Sequence, residues 1–212
     1  MQPDLGTSLV YIAIFVGMLF VSGIRLRLVR IIATVGVLLM PLAWFVLKDY
    51  QKQRILVFMN PDIDPFGSGY HIIQSKIAIG SGTIFGKGLF NGTQSQLNFL
   101  PENHTDFIFS VIGEELGFIG CIFVLILLFM LIYRSIKVAY SCNDRFGMLL
   151  ATGIGSMLCF EVLVNAGMTM GIMPVTGIPL PFISYGVSAL TTNMISVGIL
   201  LNISMQRKKY IF

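Results

Sequence analysis

The sequence predicts an all-α, polytopic helical membrane protein with about five transmembrane helices and a long extracytoplasmic loop that carries short interfacial or re-entrant helices. Three observations predict it. Hydrophobic residues fill 55% of the 212 positions and charged residues only 11%, against about 25% charged in a typical soluble domain. Five apolar runs approach the roughly 20 residues needed to cross a hydrocarbon core. The basic residues gather in the connections between those runs rather than spreading over the chain.

The runs cover 5–24, 31–47, 107–133, 146–168 and 184–205. The second is short, and Pro41 near its end predicts a kink or an early exit. The 22 glycines fit, because membrane helices tolerate Gly better than soluble ones do. Nine of the 14 basic residues fall in three places: Arg25, Arg27 and Arg30; Arg134, Lys137 and Arg145; Arg207, Lys208 and Lys209. The only acid among them is Asp144. With five spans, all three stretches lie on one side, which the positive-inside rule makes cytoplasmic. The chain then starts outside and ends inside, and two connections face outward, 48–106 and a Gly/Pro-rich stretch near 168–186. Met1 is followed directly by Gln-Pro-Asp-Leu-Gly and a span, which leaves nothing obvious to direct insertion and predicts further residues upstream. The first run is also too long for a signal peptide and lacks a basic n-region.

Composition excludes other classes. A net charge of +4 is small and scattered, and no RNP, helix-turn-helix or zinc-finger pattern is present, so no nucleic-acid partner is expected. Three cysteines cannot all pair. Cys121 and Cys159 lie in apolar runs and read as small hydrophobes, and Cys142 falls in a polar stretch on the cytoplasmic side. No Cys/His spacing suits a metal, so no metal ligands are assigned.

The outer loop of 59 residues is far longer than an ordinary helix connection and is not low-complexity, which favours a functional loop. Residues 48–55 read as an amphipathic surface helix that includes Arg54, and 55–58 as its apolar continuation. Asn60-Pro61-Asp62 and Asp64-Pro65-Phe66-Gly67 are turn signals. Tyr70 to Ile79 predicts a short helix carrying Gln74, Ser75 and Lys76, too short to span and so re-entrant or interfacial. Gly86-Lys87-Gly88 is either a flexible turn with a solvated lysine or part of a phosphate cradle, and no Walker spacing supports the second reading.

Leu97 to Asp106 packs Glu102, His104 and Asp106 against the start of the third span. Thr105 or Asp106 can simply cap that helix. Glu114 and Glu115 follow within the same apolar segment, where ionisable groups are expensive and default to functional positions. An outward cavity lined by Asp106 and one glutamate is one reading; a salt bridge from the glutamates to another helix is the other. Residues 165–188 contain Pro174, Pro179 and Pro181 and four glycines, which preclude one continuous helix. Irregular backbone at membrane depth survives only when buried in protein or lining a cavity. The segment is therefore expected beside the acidic loop, with Glu161 and Asn165 turned toward it; the plain alternative is a hairpin without chemistry.

At this point the sequence resembles the SEDS family, whose branches are RodA, FtsW and SpoVE. The resemblance rests on Gln2-Pro-Asp-Leu-Gly-Thr-Ser8, Gly69-Tyr-His-Ile-Ile-Gln-Ser-Lys-Ile-Ala-Ile-Gly-Ser-Gly82, Leu100-Pro-Glu-Asn-His-Thr-Asp-Phe-Ile-Phe109, Gly113-Glu-Glu-Leu-Gly117 and Pro174-Val-Thr-Gly-Ile-Pro-Leu-Pro-Phe-Ile-Ser-Tyr-Gly186. Gly92 to Leu97 and the Asp64-Pro65 turn are most like the RodA branch. The resemblance implies about ten spans, so the chain corresponds to the C-terminal half. It also implies a peptidoglycan glycosyltransferase that polymerises lipid II outside the cytoplasmic membrane during elongation. The implied partners are a class B penicillin-binding protein and other membrane proteins of the elongation machinery. The family's essential acidic residue falls on Asp106. Val187 departs from the usual Ser-Tyr-Gly-Gly-Ser ending, and a β-branched residue does not easily take a positive φ.

An inverting transfer from an α-linked donor needs one base, assigned to Asp106 with Glu102 and His104 in support. The departing diphosphate needs a cation: Lys76, Lys87, Arg54, or a bound divalent metal, Mg or Mn, the single cofactor expected. Gln74, Glu114 and Glu115 complete the expected substrate-contacting set. A lipid II flippase and an inactive remnant of the enzyme are the competing readings. The crowding of acids on one face argues against a translocation path.

Overall fold

The computed structural model describes residues 5–24, 27, 30, 31, 34, 35, 38, 45, 48–65, 67–97 and 99–206. Most of the expected span 31–47, with Pro41, lies outside the described residues, as do Arg25 and the Arg207, Lys208 and Lys209 cluster. Among the described residues every regular element is helical.

Helix α1 (Leu5–Val21) is apolar on every face, as a helix in lipid is. It lies on α6 (Arg145–Thr169) because small residues let the backbones close up. A Cβ on Gly17 would collide with Ser156, and one on Gly153 with Met18. Helix α5 (Ile108–Tyr140) covers another side of α6, with Gly155 set against Ser135. The turn between α5 and α6 is short, and Asp144 caps α6 by accepting a hydrogen bond from the Gly147 N–H at 2.9 Å. Helix α7 (Val187–Gln206) returns along both. Leu128, Ile132, Leu158, Val162 and Leu200 are buried between these helices, whereas Phe123, Phe129, Met130 and Tyr133 point outward. Among the described residues three helices, α5, α6 and α7, are long and apolar enough to cross a membrane.

At one end sit Arg134, Lys137 and Arg145 around the α5–α6 turn. At the other lie the parts of the long loop: α2 (Asp49–Met59), a 3-10 turn at Pro61–Ile63, α3 (Ser68–Ser81) and α4 (Thr93–Gln96). Asn60 Oδ1 accepts from the Asp62 N–H, and Asp64 Oδ2 accepts from the Ser68 N–H at 3.0 Å, which starts α3. That helix is about 21 Å long at 1.5 Å per residue, too short to cross a bilayer. Ser75 fixes it by bonding both Ser110 Oγ and the Thr169 carbonyl at 2.6 Å.

Helix α5 is not continuous, a difference from the single span expected over 107–133. Gly117 has φ 68° and ψ −164°, a region essentially restricted to glycine. In an unbroken helix the N–H groups of Phe118 and Ile119 would bond the carbonyls of Glu114 and Glu115. Instead they donate to the carbonyls of Thr83 (3.0 Å) and Ile84 (3.2 Å). The freed carbonyls accept from the N–H groups of Lys87 and Gly88, both at 3.0 Å. The loop 83–88 thus satisfies these four groups, as buried backbone requires. Gly86 comes so close that a Cβ would strike the Glu115 backbone. The run from Phe118 to Tyr140 then rises about 35 Å, enough to cross alone. Glu114 and Glu115 therefore belong to the short piece before the break.

Gly117→Ala should destabilise the protein by roughly 1–3 kcal/mol through backbone strain alone, with more from collision with Gly86 and Ile84. Gly80, which lies within α3 with open space around it, should tolerate Ala without loss. Thermal unfolding of the two variants in detergent checks the contrast.

Candidate active site

The loop 100–106 closes on itself first. The N–H groups of Thr105 and Phe107 both donate to the Glu102 carbonyl, and Thr105 Oγ1 donates to Glu102 Oε2 at 2.9 Å. Glu102 holds φ at 53°, an uncommon conformation for a side-chain-bearing residue. Leu100 is buried beneath the loop. Its N–H reaches the Gln94 carbonyl, and Asn103 Nδ2 donates to the Ser95 carbonyl at 3.0 Å.

The Pro-rich segment 174–186 packs directly on this loop. The Tyr185 N–H donates to the His104 carbonyl at 2.8 Å, and Ser184 Oγ donates to the Thr105 carbonyl at 2.7 Å. Asn165, fully buried in α6, joins the two by donating to the carbonyls of Asp106 (3.0 Å) and Ile178 (2.8 Å). The Asp106 carboxylate faces Gly177: a Cβ built there would sit 3.5 Å from Oδ2. Two segments separated by some 70 residues are thereby locked on either side of one carboxylate. Val187 is the first residue of α7, so its position calls for helical rather than positive φ. Glu161 makes no hydrogen bond to a described residue.

The buried glutamates differ sharply. Glu114 is fully buried and saturated: Lys87 Nζ donates to Oε1 at 2.8 Å, Thr93 Oγ1 adds a bond, and the N–H groups of Gln94 and Ser95 donate to its two oxygens. It ties the start of α4 to the broken helix, and α4 in turn holds Asn103. Lys87 is therefore engaged within the protein. Lys76 lies over Gly171, just beyond the C-terminus of α6, and neither it nor Arg54 nor Gln74 has a side-chain hydrogen bond to a described residue. Arg54 and Gln74 sit on α2 and α3 respectively.

An apolar cavity of about 520 Å³ opens beside the loop, lined by His104, Ile108, Phe182, Ile183, Tyr185 and Leu190. Three residues that the sequence reading left without a role shape this end. Asn103 and Ser184 anchor the loop, and His71 stacks 6.0 Å from the Phe107 ring with a buried, unpartnered Nδ1. Each lies inside a motif noted above, but no spacing distinguished it from its neighbours. Among the described residues no three of His, Cys, Asp and Glu converge as metal ligands.

The fold and site define a class: a polytopic helical membrane protein with a broken helix and a carboxylate clamped between two loops at one end. The FtsW/RodA/SpoVE family of cell cycle proteins matches residues 1–209, and the chain belongs to that family. It is 49% identical over 208 residues to the peptidoglycan glycosyltransferase MrdB of Escherichia coli K12, covering 98% of this chain and 56% of that protein. It is 44% identical to the stage V sporulation protein E of Bacillus subtilis, covering 96% and 55%. Among solved structures, one described as the structural coordination of polymerization and crosslinking by a peptidoglycan synthase complex matches with a TM-score of 0.78 at 34% identity, over 100% of this chain and 58% of that one. A mutant of the Thermus thermophilus rod shape determining protein RodA matches with a TM-score of 0.62 at 31% identity, covering 97% and 51%. The chain spans about half the length of the curated relatives it matches.

Removing Lys87 should cost about 3 kcal/mol, because the fully buried Glu114 carboxylate loses its counter-charge, and removing Glu114 should cost less, because Lys87 is partly exposed. Lys87→Met combined with Glu114→Gln should cost less than the two single losses added together. Chemical denaturation of the four proteins in a double-mutant cycle checks this.

Proposed function

We propose that the protein is a peptidoglycan glycosyltransferase of cell elongation, polymerising lipid II at the outer face of the bacterial cytoplasmic membrane with Asp106 as base. The observation that carries the reading is the Asp106 junction, where Asn165 bonds the backbone carbonyl of Asp106 and Gly177 lies beside its carboxylate. Support also comes from the relatives, several of which are named peptidoglycan glycosyltransferases. The RodA-like stretches at Gly92–Leu97 and Asp64-Pro65 favour elongation. Arg134, Lys137 and Arg145 mark the opposite end as cytoplasmic, so Asp106 faces outward.

In this reading Asp106 takes the proton of the attacking sugar hydroxyl as that oxygen bonds to the anomeric carbon of the donor. The bond to the diphosphate breaks on the opposite face, undecaprenyl diphosphate departs, and the configuration inverts from α to β. Glu102 and His104 shape the loop that presents the base. Lys76 and Arg54, unengaged by described residues, meet the diphosphate; Lys87 would have to leave Glu114 to do so. A divalent cation, Mg or Mn, would add charge neutralisation when bound, taking ligands from the diphosphate because the described side chains form no cage of their own. The apolar cavity beside His104 receives the first isoprene units. A class B penicillin-binding protein cross-links the product, and other elongation-machinery membrane proteins bind the same assembly. The solved neighbour described as coordinating polymerization and crosslinking supports the first of these partners.

Asp106→Asn should lower lipid II polymerisation at least 100-fold while leaving membrane insertion intact. Glycan strands of normal yield from this variant would sink the assignment. The orientation has its own check: with Cys121 and Cys159 replaced by Ala, Cys142 should resist a membrane-impermeant maleimide in intact cells and react once the cells are opened.

A further inference from the structure

His104 lines a second cavity, of about 430 Å³, together with Phe90, Ser95, Gln96, Asn103 and Glu115. That volume lies within the roughly 300–1,000 Å³ of small-molecule sites. Its chemistry is unlike the apolar cavity beside it. Glu115 is 9% exposed, yet its carboxylate has no hydrogen bond to a described residue. The contrast with its neighbour follows from the helix: successive side chains point about 100° apart, so Glu114 meets Lys87 and α4 while Glu115 faces the cavity. Its oxygens open into the cavity, where they can accept from a bound donor. The Gln96 amide and the His104 ring are exposed beside it and make no side-chain bond to a described residue. Phe90, held at φ 63°, presents its ring almost wholly to the outside.

A carboxylate that accepts, an amide and an imidazole that donate, and an exposed aromatic face together suit a hydroxylated ring with acetamido groups. Hydroxyl and amide donors of such a ring meet Glu115, its carbonyl oxygens meet Gln96 and His104, and its C–H face lies on Phe90. We infer that this cavity is a saccharide subsite gripping an N-acetylated sugar of the glycan chain, with His104 as the wall shared with the isoprene-receiving cavity. The inference rests on the proposed function and names where the sugar portion of that substrate is held.

The test uses the protein in lipid nanodiscs and a soluble tetrasaccharide of alternating N-acetylglucosamine and N-acetylmuramic acid, free of lipid and diphosphate. Binding is read by saturation-transfer NMR and titration. Glu115→Ala should bind at least tenfold more weakly than wild type, and the two unfolding midpoints should match. If Glu115→Ala fails to fold, Gln96→Ala, at an exposed side chain, carries the same expectation of weakened binding. Equal affinity for wild type and the cavity variant would overturn the subsite. So would no binding by wild type, or capture of MgCl2 or MnCl2 alone in a Glu115-dependent way without any saccharide binding. Failure of the base assignment shows separately, as continued polymerisation by Asp106→Asn, and leaves the binding comparison intact.

Discussion

The exchange of backbone hydrogen bonds between the Gly117 break and the loop 83–88 is the constraint on which the rest of this end depends. A helix broken inside the protein leaves N–H groups and carbonyls that need new partners, here those of Phe118, Ile119, Glu114 and Glu115. Thr83, Ile84, Lys87 and Gly88 supply all four. Once they do, the loop cannot lie anywhere else. Lys87 is then delivered to Glu114, and Glu114 reaches the N–H groups of Gln94 and Ser95. Asn103 follows through Ser95, and with it the turn that ends in Asp106.

The second half of the clamp comes from α6. Asn165 and Ser184 bond backbone carbonyls of the acidic loop, so main-chain geometry holds Asp106 at the junction. Two glutamates side by side thus have opposite situations, one saturated within the fold and the other facing a cavity. The apolar and polar cavities that share His104 extend the same division of labour to the surroundings of Asp106.

Much of the helical layout was legible because lipid imposes a simple rule on composition. The helices α5, α6 and α7 begin and end within a few residues of the apolar runs, except that α5 continues past Tyr133 through Arg134 and Lys137 to Tyr140. The short helix over 70–79 is present as Ser68–Ser81. The packing of the Pro-rich segment on the acidic loop followed from its irregular backbone. The Gly117 break did not show in the pattern, since a lone glycine in an apolar run is ordinary in a membrane helix. Lys87 and Glu114 are 27 positions apart and share no periodicity, so nothing local announces their pairing. The strain expected at Val187 does not arise, because the residue opens a helix.

The central claim is that one carboxylate, at the junction of the two loops, removes the proton of the attacking hydroxyl. The most direct measurement is the pH dependence of single-turnover lipid II polymerisation by the protein in nanodiscs, alongside a control for its folding across the same range. The account predicts an acid limb on which the rate falls about tenfold per pH unit, the signature of a single base needed in its ionised form. A rate independent of pH on the acid side, with the protein folded throughout, would contradict it.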